Sequence, residues 1–191
     1  WGESTLFIRK LDIKEPERKI KISPLVISIF EKYIQKGCGS LEAGGIIIGK
    51  ENLSNNDLVF VSATEPLKRD IRRKYRFHRK DKGHVTLFNR IYDESRQSHR
   101  YIGEWHTHPE KIPNYSGMDL KNWERIAKDL KNVEYFYHVI IGIDAYRIWQ
   151  YDKDGKITLI NTFYWKEHKL DEKNNWFKKR NTTNYTSNFM L

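Results

Sequence analysis

The run Gly44-Gly45-Ile46-Ile47-Ile48-Gly49 is the longest apolar stretch of the chain, and it limits what the chain can become. It is far shorter than the roughly 20 residues that a membrane-spanning helix needs, so no membrane partner is expected. Six residues rich in β-branched side chains and bounded by glycine read as a strand, Gly45–Lys50, paired through Asn52–Asp57 with a second strand, Leu58–Thr64. Around this pair, the periodicity alternates between two and 3.6 residues. Lys19–Ile22 and Thr5–Leu11 read as short strands around a charged turn holding Pro16. Ser23-Pro24 supplies an N-cap oxygen and an N1 proline, followed by Leu25, Ile29, Phe30 and Tyr33 at helical spacing and Gly37 as a stop.

A second helix is expected from His84 to about Arg96, with Val85, Phe88, Ile91 and Tyr92 on one face. A third runs over Asp119–Leu130, turning Leu120, Trp123, Ile126, Ala127 and Leu130 inward. Arg100–His108, Tyr135–Ile143, Tyr146–Tyr151 and Ile157–Trp165 read as strands, with Asp152-Lys153-Asp154-Gly155 as the last turn. The order βαββαβαβββ predicts a mixed sheet of the α/β or α+β class flanked by helices. It is not a regular βαβ series, and no GxGxxG or GxxxxGK[ST] phosphate loop is present.

A chain of 191 residues and 23.0 kDa suffices for one domain with its own core. Its one cysteine, Cys38, excludes an intramolecular disulfide, a Cys-rich zinc site and an iron–sulfur cluster held by one chain. It fits a reducing compartment, and a cytoplasmic location is expected. No signal peptide is visible, and a start at Trp1 rather than Met is expected of a trimmed or partial chain. The net charge of +10 is either a solvated basic surface or a match for an acidic partner. The charge concentrates in Lys68–Lys82, where nine Lys/Arg stand against two Asp. Within it, Arg76 and Arg79 are candidates for holding a carboxylate or backbone carbonyls of a substrate. His78 and His84 are read as surface or structural residues and His138 as a core histidine.

The chemistry resides in Gly103-Glu104-Trp105-His106-Thr107-His108-Pro109 and Ser116-Gly117-Met118-Asp119. Alternate strand residues point to one face, so His106 and His108 offer two imidazoles to one point. Pro109 turns the chain, and the loop is long enough to return Asp119 at the start of the next helix. Two His and one carboxylate leave the fourth position of a tetrahedral zinc open for water, the catalytic arrangement. A general base is still required. Glu42, in Leu41-Glu42-Ala43-Gly44-Gly45, is the candidate, with paired glycines that permit close backbone approach. Glu104 shares the strand face of the two histidines. It is an acceptor for an imidazole N–H, a rival base, or a carboxylate satisfied in a salt bridge.

The order Glu, His-x-His, seven residues, Ser, two residues, Asp resembles the signature of the JAMM (MPN⁺, JAB-domain) metalloproteases over roughly Lys19 to Trp165. The resemblance implies a JAB/MPN-like mixed sheet with the layering of cytidine deaminases. It also implies one Zn²⁺ per chain on His106, His108 and Asp119, with Glu42 as general base and acid. Ser116 would donate a hydrogen bond to the tetrahedral oxyanion. It divides the chain into an N-terminal extension (1–18), the metalloprotease domain (19–165) and a polar tail (166–191).

The context around Phe77-His78-Arg79-Lys80-Asp81 and His108-Pro109-Glu110 is similar to short bacterial JAB proteins of mobile elements and antiphage islands. Such proteins accompany E1- and E2-like enzymes. They release a cGAS-like nucleotidyltransferase from its conjugates (the CBASS type), or release a ubiquitin-like protein. An isopeptidase acting after the C-terminal residue of such a tail is therefore expected. A basic nucleic-acid-binding or repair protein is the competing reading. A zinc nucleobase deaminase is excluded because it needs H-x-E and P-C-x-x-C.

Overall fold

A computed structural model describes residues 19–52, 54, 57–130 and 133–167. The expected strand Thr5–Leu11, the turn at Pro16 and the tail aromatics Trp176, Phe177, Tyr185 and Phe189 lie outside the described residues.

In chain order, the elements are β1 (Ile20–Ile22), α1 (Pro24–Lys32), β2 (Gly44–Glu51), β3 (Leu58–Ala63), β4 (Ile71–Arg73), β5 (Arg76–His78), α2 (Gly83–Glu94), β6 (Arg100–Thr107), α3 (Gly117–Asp129), β7 (Tyr135–Ile141), β8 (Ala145–Asp152) and β9 (Ile157–Tyr164). Seven strands form one mixed sheet in the order β1-β3-β2-β6-β7-β8-β9, and β4-β5 form a separate hairpin. The fold is α/β. β1 runs parallel to β3 and β6 parallel to β7, and the other neighbours in the large sheet are antiparallel.

Each face of the sheet carries its own core. Val26, Ile29 and Phe30 of α1 pack on Trp105, Val139, Ile141 and Tyr146. Trp123 and Ile126 of α3 pack with Phe136, Ile140 and Trp149 on the other. Strand alternation accounts for the split, because Trp105 and His106 point to opposite faces. β2 carries Ile47 into the first core and is almost wholly buried, as a central strand should be. Close strand approach depends on glycine: a Cβ on Gly103 would meet the Tyr137 carbonyl oxygen at 1.7 Å.

Three expectations change. The buried stripe of α1 is Val26, Ile29 and Phe30, with Tyr33 half-buried beyond its end; Leu25 is 56% exposed. Ser23 caps the helix as read, its Oγ accepting from the Val26 N–H. The helix closes at Lys32, so Gly37 (φ +117) lies in the loop leading to Glu42 rather than acting as the stop. α2 turns His84, not Val85, into the interior.

The largest difference is the basic stretch, which forms the β4–β5 hairpin. Its two aspartates are structural hubs. Asp70 accepts from the backbone N–H groups of Leu67 (2.7 Å), Lys80 (2.9 Å) and Asp81 (2.9 Å), and its Oδ2 lies 2.7 Å from His84 Nε2. His84 Nδ1 lies 2.6 Å from Thr64 Oγ1. That hydroxyl also accepts from the Ile46 N–H, so Thr64 bridges β2 and the ring. The chain Thr64–His84–Asp70 is buried at the His and Asp side chains and ties the hairpin base to the sheet.

Candidate metal centre and the hairpin over it

The site forms where β2 begins and β6 ends. Gly44 pairs with His106 and Gly45 with Trp105, so two residues further on Glu42 stands opposite His108. Two bonds lock this register: the Ala43 N–H donates to Thr107 Oγ1 (3.0 Å) and the Thr107 N–H to the Ala43 carbonyl (2.9 Å). A Cβ on Gly45 would collide with the Thr64 carbonyl at 2.1 Å, so close approach requires glycine here.

After His108, whose N–H donates to the Ile141 carbonyl, the chain folds across the ends of β7 and β8. The N–H of Ile143 donates to the Glu110 carbonyl, and those of Asp144 and Ala145 to the Lys111 carbonyl. This path returns Ser116 as the N-cap of α3 in a reciprocal capping box with Asp119. Asp119 thus sits in the first helical turn, where the helix dipole favours a negative charge.

His106, His108 and Asp119 converge. The two Nε2 atoms lie 3.0 Å apart. His106 Nε2 is 3.1 Å from Asp119 Oδ1, and His108 Nε2 is 3.5 Å from Oδ2. Donors around a tetrahedral zinc with bonds of about 2.0–2.1 Å stand about 3.3 Å apart. Two imidazole lone pairs cannot face each other at 3.0 Å without a proton or a cation between them. By spacing and by chemistry, the three residues fit a zinc ion. Among the described residues, they are the one group of three with such convergence.

Glu42 is 5% exposed. Burial pushes its carboxyl up to about 7, against the opposing charges of His106 and His108. For Asp119, burial acts the same way, but hydrogen bonds from His106 and His108 outweigh it and hold the carboxyl well below the usual range. For His108, burial favours the neutral ring, and the Asp119 hydrogen bond and charge reverse the balance upward.

The hairpin closes over this end of the sheet. The Glu42 N–H donates to the Arg73 carbonyl (2.9 Å), and Arg72 Nε and Nη2 donate to the carbonyls of Glu42 (2.8 Å) and Leu41 (3.2 Å). The Phe77 ring lies where a Cβ on Gly44 would be, 2.5 Å away. Lys68–Lys82 is therefore not a simple solvated face: its middle strands hold the Glu42 loop.

Of the alternatives open for Glu104, the salt bridge is the one that forms, and the expectation for Arg79 is corrected. Glu104 accepts from Arg79 Nε (3.0 Å) and Nη2 (2.6 Å), with Asn122 Nδ2 at 3.5 Å from its other oxygen. It holds the arginine rather than an imidazole of His106 or His108. Arg79 is correspondingly occupied within the protein, not offered to a substrate, whereas Arg76 remains exposed at the pocket. Ser116 Oγ donates to Asp119 Oδ2 (2.7 Å) and accepts from the Asp119 N–H (3.2 Å), so its single proton is in use.

Other pocket-lining residues were not read as such in the sequence. Tyr75, Asn122, Arg125 and His138 line the pocket with the histidines. Asn122 was traceable, being one helical turn from Asp119. His138 is buried as expected, stacked on Trp123 with ring centroids 4.3 Å apart, and it also forms the site wall. Burial pulls it down to about 3, and its Nε2 finds no partner among the described residues.

Two histidines and a carboxylate at a strand end, with a buried glutamate opposite, define a candidate metallohydrolase centre on an α/β sheet. Residues 33–152 match the family described as prokaryotic homologs of the JAB domain, and the chain belongs to that family. It is 31% identical over 126 residues to a CD-NTase/cGAS isopeptidase of Pseudomonas aeruginosa (strain BWHPSA011 / Pa011), covering 66% of this chain and 78% of that protein. It is 32% identical over 111 residues to one of Escherichia coli (strain TW11681), covering 58% and 70%. A third, from Vibrio cholerae serotype O1, is 37% identical over 84 residues, covering 44% and 53%. Among the described residues, no helix is long and apolar enough to cross a membrane.

Proposed function

We propose that this chain is a zinc-dependent isopeptidase of bacterial antiphage defence, acting beside E1- and E2-like enzymes to release a CD-NTase/cGAS-type nucleotidyltransferase from conjugates formed through its C-terminus. The observation that carries the reading is the convergence of His106, His108 and Asp119 with buried Glu42 opposite His108. The names of the three relatives support the substrate class.

His106, His108 and Asp119 would hold the zinc. Bound there, it supplies Lewis acidity at the scissile carbonyl and lowers the pKa of water to about 7. Glu42 removes the proton of the attacking water as the new C–O bond forms. It then delivers that proton to the leaving amine as the C–N bond breaks. A carboxyl raised to about 7 by burial suits both transfers, since an acid–base group works best near the ambient pH. Ser116 Oγ donates to the oxyanion once its hydroxyl turns away from Asp119 Oδ2.

The test is cleavage of a nucleotidyltransferase joined through its C-terminus to a lysine, read by mass spectrometry. Wild type should release the intact nucleotidyltransferase, and Glu42→Gln should be slower by about 10²–10⁴-fold while remaining folded. Equal rates for the two proteins would remove Glu42 from the mechanism, and failure of the zinc-loaded wild type to cleave would overturn the reading.

A further inference from the structure

The basic stretch raises a question of charge balance. Both acids within it are occupied by backbone N–H groups, Asp70 also by His84 and Asp81 by Arg69 and Gly83. Arg79 is paired with Glu104, and Arg72 is spent on two carbonyls. Arg76 has no ion-pair partner among the described residues. It stands directly across the hairpin from Arg73, a like-charged pair that weakens a ladder unless an anion is near.

Arg76, His78 and, from α3, Arg125 line the pocket that holds Glu42, His106 and Asp119. Arg125 reaches Asp129 at 3.3 Å in an exposed i,i+4 pair, which is worth little. Its other end is steadied by Asn122 Oδ1 at 2.8 Å. Burial, followed by the charges of Lys80, Arg76 and Arg125, pulls His78 down, as a locally positive field would. Tyr75 and Met118, 67% and 55% exposed, add apolar surface at the rim. The pocket's volume of about 180 Å³ admits a side chain but not a duplex.

We propose that Arg76 and Arg125 form a carboxylate-recognition subsite that selects conjugates whose tail carries aspartate or glutamate beside the scissile bond. The inference rests on the peptidase reading and adds the tail chemistry: an acidic tail is held between the hairpin and α3, and a basic one is repelled.

The test has two arms. In the first, synthetic tail peptides carrying an acid, the matching amide or lysine at each position near the scissile bond are titrated into zinc-loaded Glu42→Gln protein. The acidic peptide should bind about tenfold or more tightly than the amide, as a charge-assisted hydrogen bond requires. Arg76→Glu, a surface change checked by circular dichroism, should erase that preference and favour the lysine peptide. Arg125→Glu should reduce it independently. In the second arm, wild type cleaves conjugates bearing the same tails, and kcat/KM should follow the binding order.

Equal affinity for acid and amide, or an unchanged preference in Arg76→Glu, overturns the subsite. Cleavage of all tails at one rate overturns it and leaves the peptidase reading intact. Acid-selective binding without any cleavage supports the subsite and overturns the peptidase reading. An oligonucleotide that binds wild type but not Arg76→Glu, while all tails bind alike, assigns the arginines to phosphate and overturns the proposal.

Discussion

Glu42 is a carboxylate kept from water by the hairpin, and its raised pKa has a thermodynamic consequence. The folded, metal-free protein holds the proton up to about 7, against 4.5 for the ordinary group. Its contribution to stability is therefore fully present below about 4.5 and is lost as pH rises through 7. In metal-free protein, Glu42→Gln should match wild type in Tm near the lower limit and exceed it progressively toward the upper one, as read by thermal melts across pH. A Tm difference independent of pH would mean that Glu42 is not buried as described. Ser116 has two roles that one substitution can separate. Ser116→Ala should cost about 1 kcal/mol through loss of the cap. It should also cost about 10²-fold in kcat if the hydroxyl serves the oxyanion. Loss of stability with unchanged kcat would leave Ser116 as a cap alone.

At the scale of elements, the hairpin is the part on which the site most depends. It donates and accepts along the Glu42 loop, and it is itself held by Asp70 through three backbone donors and His84. Asp70→Ala leaves those donors and the Nε2 of the buried imidazole unpaired, and should destabilise the protein by about 3 kcal/mol. Hydrogen exchange should accelerate over residues 67–82 more than in β7 and β8, and turnover should fall although no site residue has changed. His84→Ala should act in the same direction. Uniform acceleration across the sheet would argue against the hairpin as a separate unit. The Arg79–Glu104 pair is a second tie between hairpin and sheet, with side chains 26% and 13% exposed. A double-mutant cycle to Met and Gln should give a coupling of about 1–3 kcal/mol.

For the whole molecule, zinc would act as a ligand of the folded state, because its donors come from β6 and the first turn of α3 and meet only in the fold. Elemental analysis should find one zinc per chain. Excess zinc at about 100 times its Kd should stabilise the protein by about 2.7 kcal/mol, and a chelator should reverse the gain. A Tm unmoved by chelator, with no metal in the purified protein, would count against the centre. Either His106→Ala or Asp119→Ala should abolish the metal-dependent part of the Tm, since three donors are the least that a catalytic zinc site uses.

The sequence by itself placed most strands of the large sheet and named His106, His108 and Asp119 as candidate donors. Short apolar and β-branched runs marked β2, β3 and β6–β9 to within a residue or two, and His-x-His followed by Ser-x-x-Asp named the candidate cluster, because strand alternation and helix capping are local rules. What lay beyond local rules was decided by tertiary contact. The hairpin was hidden because β4 and β5 are three residues each and show a charge pattern rather than an apolar period. Leu25 and Val85 share the helical spacing of their neighbours yet are exposed, because a helical stripe does not state which neighbouring residue meets the sheet. The role of Glu104 was decided by Arg79, 25 residues away in sequence, and that of Asp70 by backbone donors folded around it. Charge in a sequence reports only sign and number. Whether an ion is paired, buried or left facing a pocket depends on distances that exist only after folding, so the tertiary structure alone separated Arg79 from Arg76.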